Sequence, residues 1–168
     1  GRYRQFIQCD IDILGEASNL AEIELILATT TTLGKIGFKN FEIRINDRRI
    51  LKAMAAYSGF AEEDYDNIFI ILDKMDKIGL DGVENELIED GYAKDSVEKY
   101  LALFKGMQES EDTLSFIEEK MTGFLEEDVK TSFREIIESV NATKGDHFKL
   151  VFDPTLVRGM SYYTGPIF

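Results

Sequence analysis

Phe41-Glu42-Ile43-Arg44-Ile45-Asn46-Asp47-Arg48-Arg49-Ile50-Leu51 is where the chain changes character. Phe41, Ile43 and Ile45 alternate with Glu42, Arg44 and Asn46, which predicts a strand with one buried face. From about Asp47 the period shifts from two to between three and four. Leu51, Met54 and Ala55 share one helical stripe that stops at Gly59. Ile68, Ile71, Leu72 and Met75 make the next, ending near Gly79. Asp95 with Glu98 predicts a capped helix carrying Val97, Tyr100, Leu101 and Phe104. Leu114, Ile117 and Met121 form a further stripe, and Val129, Phe133, Ile136, Ile137 and Val140 the last. These stripes predict a helical block over 47–145, with a core from Met75, Tyr100, Phe104, Ile117, Phe133 and Ile137.

On the other side of that junction, Asn19 with Glu22 resembles a capping box. It opens a helix with Leu20, Ile23, Leu27, Thr30 and Leu33 on one face and stop signals at Gly34 and Gly37. Before it, Gln8, Asp10 and Asp12 alternate with Cys9, Ile11 and Ile13, so residues 2–14 read as a strand with Cys9 on its core face. Strand character returns at Phe148, Leu150 and Phe152 and runs on from Val157 to Phe168. Pro154 and Pro166 suit bends or edges. The expected class is α+β, with a partial antiparallel sheet from 1–46 and 146–168 interrupted by a helical insertion over 47–145.

Composition narrows the function. The 168 residues carry a formal net charge of -13, which argues against non-specific affinity for nucleic acid, because phosphate binding needs clustered Lys and Arg. A single cysteine excludes an intramolecular disulfide and favours a reducing, cytoplasmic setting. No stretch approaches the length of a membrane span. His147 is the only histidine, there is no Cys pair and no P-loop, so no protein-bound metal site is expected. His147 reads as a surface or strand-edge residue.

Two polar sets stand out. In the closing run, Arg158 sits between Val157 and Gly159 in an apolar setting, where an unpaired guanidinium is costly to bury. It reads as a surface arginine or as one held in a structural salt bridge. Tyr162 and Tyr163 are consecutive and would point to opposite faces of a strand, as packing residues or as hydroxyl donors. In the opening run, Gln8 and Asp12 lie about 13 Å apart along an extended strand. Arg2 and Arg4 read as solvent-exposed arginines near a hairpin.

The closing run Leu156-Val157-Arg158-Gly159-Met160-Ser161-Tyr162-Tyr163-Thr164-Gly165 resembles the histidine-specific segment of histidyl-tRNA synthetases, roughly Leu-Val-Arg-Gly-Leu-Asp-Tyr-Tyr-Thr-Gly. The opening run through Gln8-Cys9-Asp10-Ile11-Asp12 looks like the second half of motif 2 of class II aminoacyl-tRNA synthetases. Arg44-Ile45-Asn46-Asp47-Arg48-Arg49 and Leu72-Asp73-Lys74-Met75-Asp76-Lys77-Ile78-Gly79 are also similar to that family. Ser161 departs from the pattern, and motif 1, motif 3, the first motif 2 arginine and an anticodon-binding domain have no counterpart. The resemblance implies an internal fragment of a histidine–tRNA ligase, inactive alone. The parent, a homodimer, would take histidine, ATP with Mg2+ and tRNA(His). It implies that Arg158 is the electrostatic catalyst and that Gln8 holds the substrate's amino end. Asp12 and Tyr163 would meet the imidazole, Tyr162 would support Tyr163, and Arg2 and Arg4 would hold ATP phosphate. It also implies a tRNA contact for the insertion, through residues such as Lys74, Lys77 or Lys105. The alternative is a paralogue such as the regulatory subunit of ATP phosphoribosyltransferase, and a third class is an acidic helical interaction module.

Overall fold

The computed structural model describes residues 3–159 and 162–168. Helix α1 (Leu20–Lys35) leads to strand β1 (Phe41–Asp47). Helices α2 (Arg48–Ser58), α3 (Tyr65–Leu72), α4 (Met75–Glu89), α5 (Lys94–Glu109), α6 (Thr113–Lys120) and α7 (Glu127–Thr143) follow. Strands β2 (Phe148–Phe152) and β3 (Pro166–Ile167) complete the order. The α+β class and the helical block between strands are as the sequence predicts. The sheet is ordered β2-β1-β3 and its polarity is mixed. β1 pairs with β3 antiparallel, but with β2 parallel, Phe41 opposite Phe148 and Ile45 opposite Phe152. The expectation of an antiparallel sheet is corrected here, and the helical block supplies the reason. A parallel partner needs a long crossover connection, and α2 to α7 are that crossover.

The helices form where the stripes lie. Asp47 caps α2, its carboxylate accepting the Arg49 amide at 2.8 Å, and Gly59 ends the helix at φ 91°, a conformation that glycine alone adopts without steric cost. The stripe through Met75 is divided. α3 stops at Leu72, one turn re-forms from Met75, and Gly79 kinks α4 at φ 68°. The second half of α4, with buried Val83 and Leu87, has no counterpart in the sequence reading.

Two expected caps are replaced. Asn19 has helical backbone angles and caps nothing. Its side chain is taken by α7, accepting from Ser132 Oγ at 2.6 Å and donating to Glu135. Asp95 lies inside the first turn of α5 behind Ala93, where its charge suits the helix dipole.

The buried side chains make one cluster. Tyr100, Phe104, Ile117 and Phe133 are buried in it, and Met75 and Ile137 pack on it half-buried. Tyr100 sits edge-on to Phe60 at 5.4 Å and to Phe104 at 5.2 Å. The cluster does not end at the helices. Phe133 meets Phe152 of β2 edge-on at 5.6 Å, and Ile45, Phe148 and Ile167 of the sheet belong to the same core. The separate helical core expected from the stripes is thus continuous with the sheet. His147 precedes β2 at the strand edge, against Phe41 and Phe148.

Residues 3–18 form no helix or strand. A strand exists only with a ladder partner, and among the described residues none lies beside this segment. Phe6 is 78% and Ile7 93% exposed, and Cys9, expected in the core, is exposed for the same reason.

Candidate functional site

The closing segment is built from β2 outward. The β2 chain turns at Asp153, whose Oδ1 accepts from the Thr155 amide at 2.9 Å and the Thr155 hydroxyl at 2.7 Å. Arg44 pairs with the same carboxylate at 3.2 Å. Leu156 and Val157 then run past the β1–α2 junction, where Val157 is buried. Arg158 follows with φ 54°, in the left-handed region. That region is sparsely populated for a residue with a Cβ, and it persists where the surroundings fix it.

Beyond the loop, the two tyrosines come together. Their rings are 4.6 Å apart between centroids, and the Tyr162 hydroxyl donates to the Tyr163 hydroxyl at 3.5 Å. Arg158 Nη2 donates to the same Tyr163 oxygen at 3.4 Å, its guanidinium carbon 5.9 Å from the ring centroid. Among the described residues, the expected strand from Val157 to Phe168 is reduced to Pro166–Ile167. This is why consecutive tyrosines share a side, since the alternation that separates neighbours holds only in extended strands. Both hydroxyls feel the arrangement. Tyr163 is pulled below the usual phenol range, first by the hydrogen bond it accepts from Tyr162 and then by the one from Arg158. Tyr162 is pushed up, chiefly because it donates to Tyr163.

The opening segment stands apart. Gln8 Nε2 donates to both Asp10 carboxylate oxygens, at 2.9 and 3.2 Å. Gln8, Asp12 and Arg4 are exposed, and Arg2 lies outside the described residues. Among the described residues, no hydrogen bond or ion pair joins Gln8 or Asp12 to Arg158, Tyr162 or Tyr163. Lys74, singled out as a cation of the helical block, is paired with Glu86 at 2.5 Å.

The structure adds a polar group that the sequence reading placed in a family-like run but gave no role. Asn46 and Asp47 are fully buried and Arg48 is 3% exposed. Arg49 grips Asp47 in two parallel bonds of 2.9 and 2.7 Å. This raises the already basic guanidinium further. Asn46 Nδ2 donates to the Leu156 carbonyl at 2.9 Å. Arg48 Nη1 reaches the Val157 carbonyl at 3.5 Å, while its amide donates to the Gly165 carbonyl at 3.0 Å. The signal was present in the sequence. Four successive polar residues, Asn46 to Arg49, continue an apolar strand, and buried polar groups require partners.

The model of the family "Histidyl-tRNA synthetase" matches residues 1–168. The histidine–tRNA ligase of Leifsonia xyli subsp. xyli is 44% identical over 173 residues, covering all of this chain and 40% of that relative. A probable histidine–tRNA ligase of Tropheryma whipplei is 42% identical, covering all of this chain and 41% of that protein. The chain thus spans about two fifths of the length of the curated relatives it matches. Among solved structures, the histidyl-tRNA synthetase from Nostoc sp. PCC 7120 superposes with a TM-score of 0.73 at 21% identity, over 90% of this chain and 36% of that one. An ATP phosphoribosyltransferase regulatory subunit/histidyl-tRNA synthetase from Bacillus halodurans C gives 0.66 at 19% identity, over 90% of this chain and 39% of that one. The two superpositions speak for the fold, and the family match over the whole length carries the assignment. The chain belongs to the histidyl-tRNA synthetase family.

Proposed function

We propose that this chain supplies the histidine-recognising part of a histidine–tRNA ligase. That enzyme joins histidine to the α-phosphate of ATP and passes it to tRNA(His). The observation that carries the reading is the Arg158–Tyr163–Tyr162 chain, a cation and two phenols linked on one exposed loop. In the family these residue types do this work. Negative charge grows on the α-phosphate during adenylate formation, and a fixed guanidinium stabilises it. The phenol pair offers donors and acceptors for an imidazole. Gln8 would hold the substrate's amino end and Asp12 would accept an imidazole N–H, once their segment is folded against the loop. Arg2 and Arg4 would hold ATP phosphate, with Mg2+ arriving on the nucleotide rather than on a protein site. Residues 1–46 and 146–168 would form the catalytic part and 47–145 the helical insertion, facing tRNA through cations such as Lys77 and Lys105. The whole enzyme would act as a cytoplasmic homodimer. Among the described residues, no helix is long and apolar enough to cross a membrane.

The paralogue reading, a regulatory subunit without ligase activity, is less favoured, because the arginine and both tyrosines of the closing run are present together. The test replaces the matched residues of the Leifsonia xyli enzyme with this chain and measures histidine-dependent pyrophosphate exchange. The chimera is expected to be active. Arg158→Ala is expected to lower kcat about a hundredfold, with the KM for histidine little changed. A normal kcat with only a raised KM would reduce Arg158 to a uniform binding group. The 168-residue chain alone is expected to show no exchange, since incomplete positioning removes much of the rate. Exchange by it at the chimera's rate refutes that part.

A further inference from the structure

The buried polar group at the β1–α2 junction touches the closing loop at both ends. Asn46 Nδ2 holds the Leu156 carbonyl and Arg48 Nη1 the Val157 carbonyl, the two residues immediately before the left-handed Arg158. The Arg48 amide holds the Gly165 carbonyl, where the loop returns. β3 then pairs Pro166 with Asp47 and Ile167 with Asn46. Arg48 is itself fixed. Its other Nη reaches Asp66 at 3.5 Å, and its guanidinium lies 4.8 Å from the centre of the Phe69 ring.

A buried asparagine and a buried arginine are expensive unless they are bonded, and here part of their bonding goes to the backbone of this one loop. Arg44, on the same strand, presents the contrast. It is half-exposed and pairs with Asp76 and Asp153, without reaching residues 156–165 in any hydrogen bond among the described residues.

We propose that Asn46 and Arg48 are positioning residues that fix the backbone at Leu156, Val157 and Gly165, hold Arg158 in its left-handed conformation and so aim its guanidinium. The aim matters for catalysis only under the reading of Arg158 given above, and the conformational claim stands without it. Arg158 is itself a tryptic site on an exposed loop, so the protease reports on the clamp directly. A protease needs the bond it cuts to become extended, and a pinned left-handed arginine resists that.

The experiment is limited trypsin digestion of the full chain, following cleavage after Arg158 against cleavage after Lys105, which lies mid-helix in α5 and opens only with the fold. Asn46→Leu and Arg48→Met are expected to raise the Arg158 to Lys105 ratio roughly five- to tenfold, the scale of a lost buried hydrogen bond. Arg48→Lys keeps the charge but not the two-armed reach, and should fall between wild type and Arg48→Met. Arg44→Met should leave the ratio unchanged. An unchanged ratio in the clamp variants, or cleavage rising equally at both sites, overturns the proposal, because a role in stability alone moves both. If the two apolar variants do not fold, Arg48→Lys decides. These ratios do not depend on ligase activity. A clamp that holds in an inactive chimera therefore refutes the function reading alone, and an active chimera with unaltered ratios refutes the clamp alone.

Discussion

Residues 3–18 and the helical block contain similar side chains and treat them oppositely. In the block, Phe104 is 3% exposed and Ile117 fully buried. In the opening segment Phe6 is 78% and Ile7 93% exposed. An amphipathic helix closes its own backbone hydrogen bonds and needs only a neighbouring stripe, which the block supplies six times over. An alternating segment needs a ladder to exist at all. Stability therefore belongs to the block and its seam with β2, and the opening segment adds almost none. Phe133, fully buried against Phe152, tests the first half. Phe133→Ala should cost about 3–5 kcal/mol in urea unfolding, while Phe6→Ala should stay within about 0.5 kcal/mol. A loss above about 1 kcal/mol at Phe6 would break the comparison, placing that segment against the core in solution.

The block also holds a defect of its own. Among the described residues, the buried Tyr100 hydroxyl has no hydrogen-bond partner, and burial pushes its ionisation well above the ordinary phenol range. Tyr100→Phe keeps the edge-on ring contacts and removes the orphan group, so it should stabilise by about 1 kcal/mol at neutral pH. The pH dependence has a definite sign. A phenol raised by folding stabilises the protein below the unfolded value, near 10, and that contribution is lost as pH rises beyond it. Unfolding monitored from neutral pH to above 10 should show the wild type losing stability faster than Tyr100→Phe. Parallel curves would mean that the hydroxyl is hydrated or bonded.

What was legible in the sequence follows the same division. The stripes through Tyr100 and Phe133 and the strands at Phe41 and Phe148 could be read because local periodicity and tertiary burial agree there. The second half of α4 could not, because Gly79 breaks the period just before it. The parallel pairing of β1 with β2 is a property of the crossover, which no local pattern encodes. Asn19 and Asp95 carried cap-like spacing, yet α7 captured one and the helix register shifted past the other. The candidate site divides again. Arg158, Tyr162 and Tyr163 could be singled out by residue type and come together in the fold, but their loop conformation depends on Asn46 and Arg48, more than a hundred residues earlier in the chain. Gln8 and Asp12 remain a proposal, because among the described residues no partner element orients them.

The smallest expected effect sharpens the comparison at the loop, where solvent screens every interaction. Tyr162 is 67% exposed, so its hydrogen bond to Tyr163 contributes little to stability, but it sets the order in which the two phenols ionise. Tyr163 accepts from both Tyr162 and Arg158, which favours its phenolate, whereas Tyr162 must give up a donated proton. In a titration followed by NMR of ring-labelled tyrosine, Tyr163 should ionise at lower pH than Tyr162. Arg158→Met should move Tyr163 upward by removing one donor and a nearby positive charge. It should move Tyr162 less, since Arg158 is the last of its causes. The same titration reads the clamp without any protease. If Asn46 and Arg48 hold Arg158 beside Tyr163, Arg48→Met should push Tyr163 in the same direction as Arg158→Met, although Arg48 is not bonded to either phenol. Tyr162 ionising first, or a Tyr163 indifferent to Arg158→Met, would show that the three groups do not keep this geometry in solution, and the closing loop would then join the opening segment among the parts that the block alone does not order.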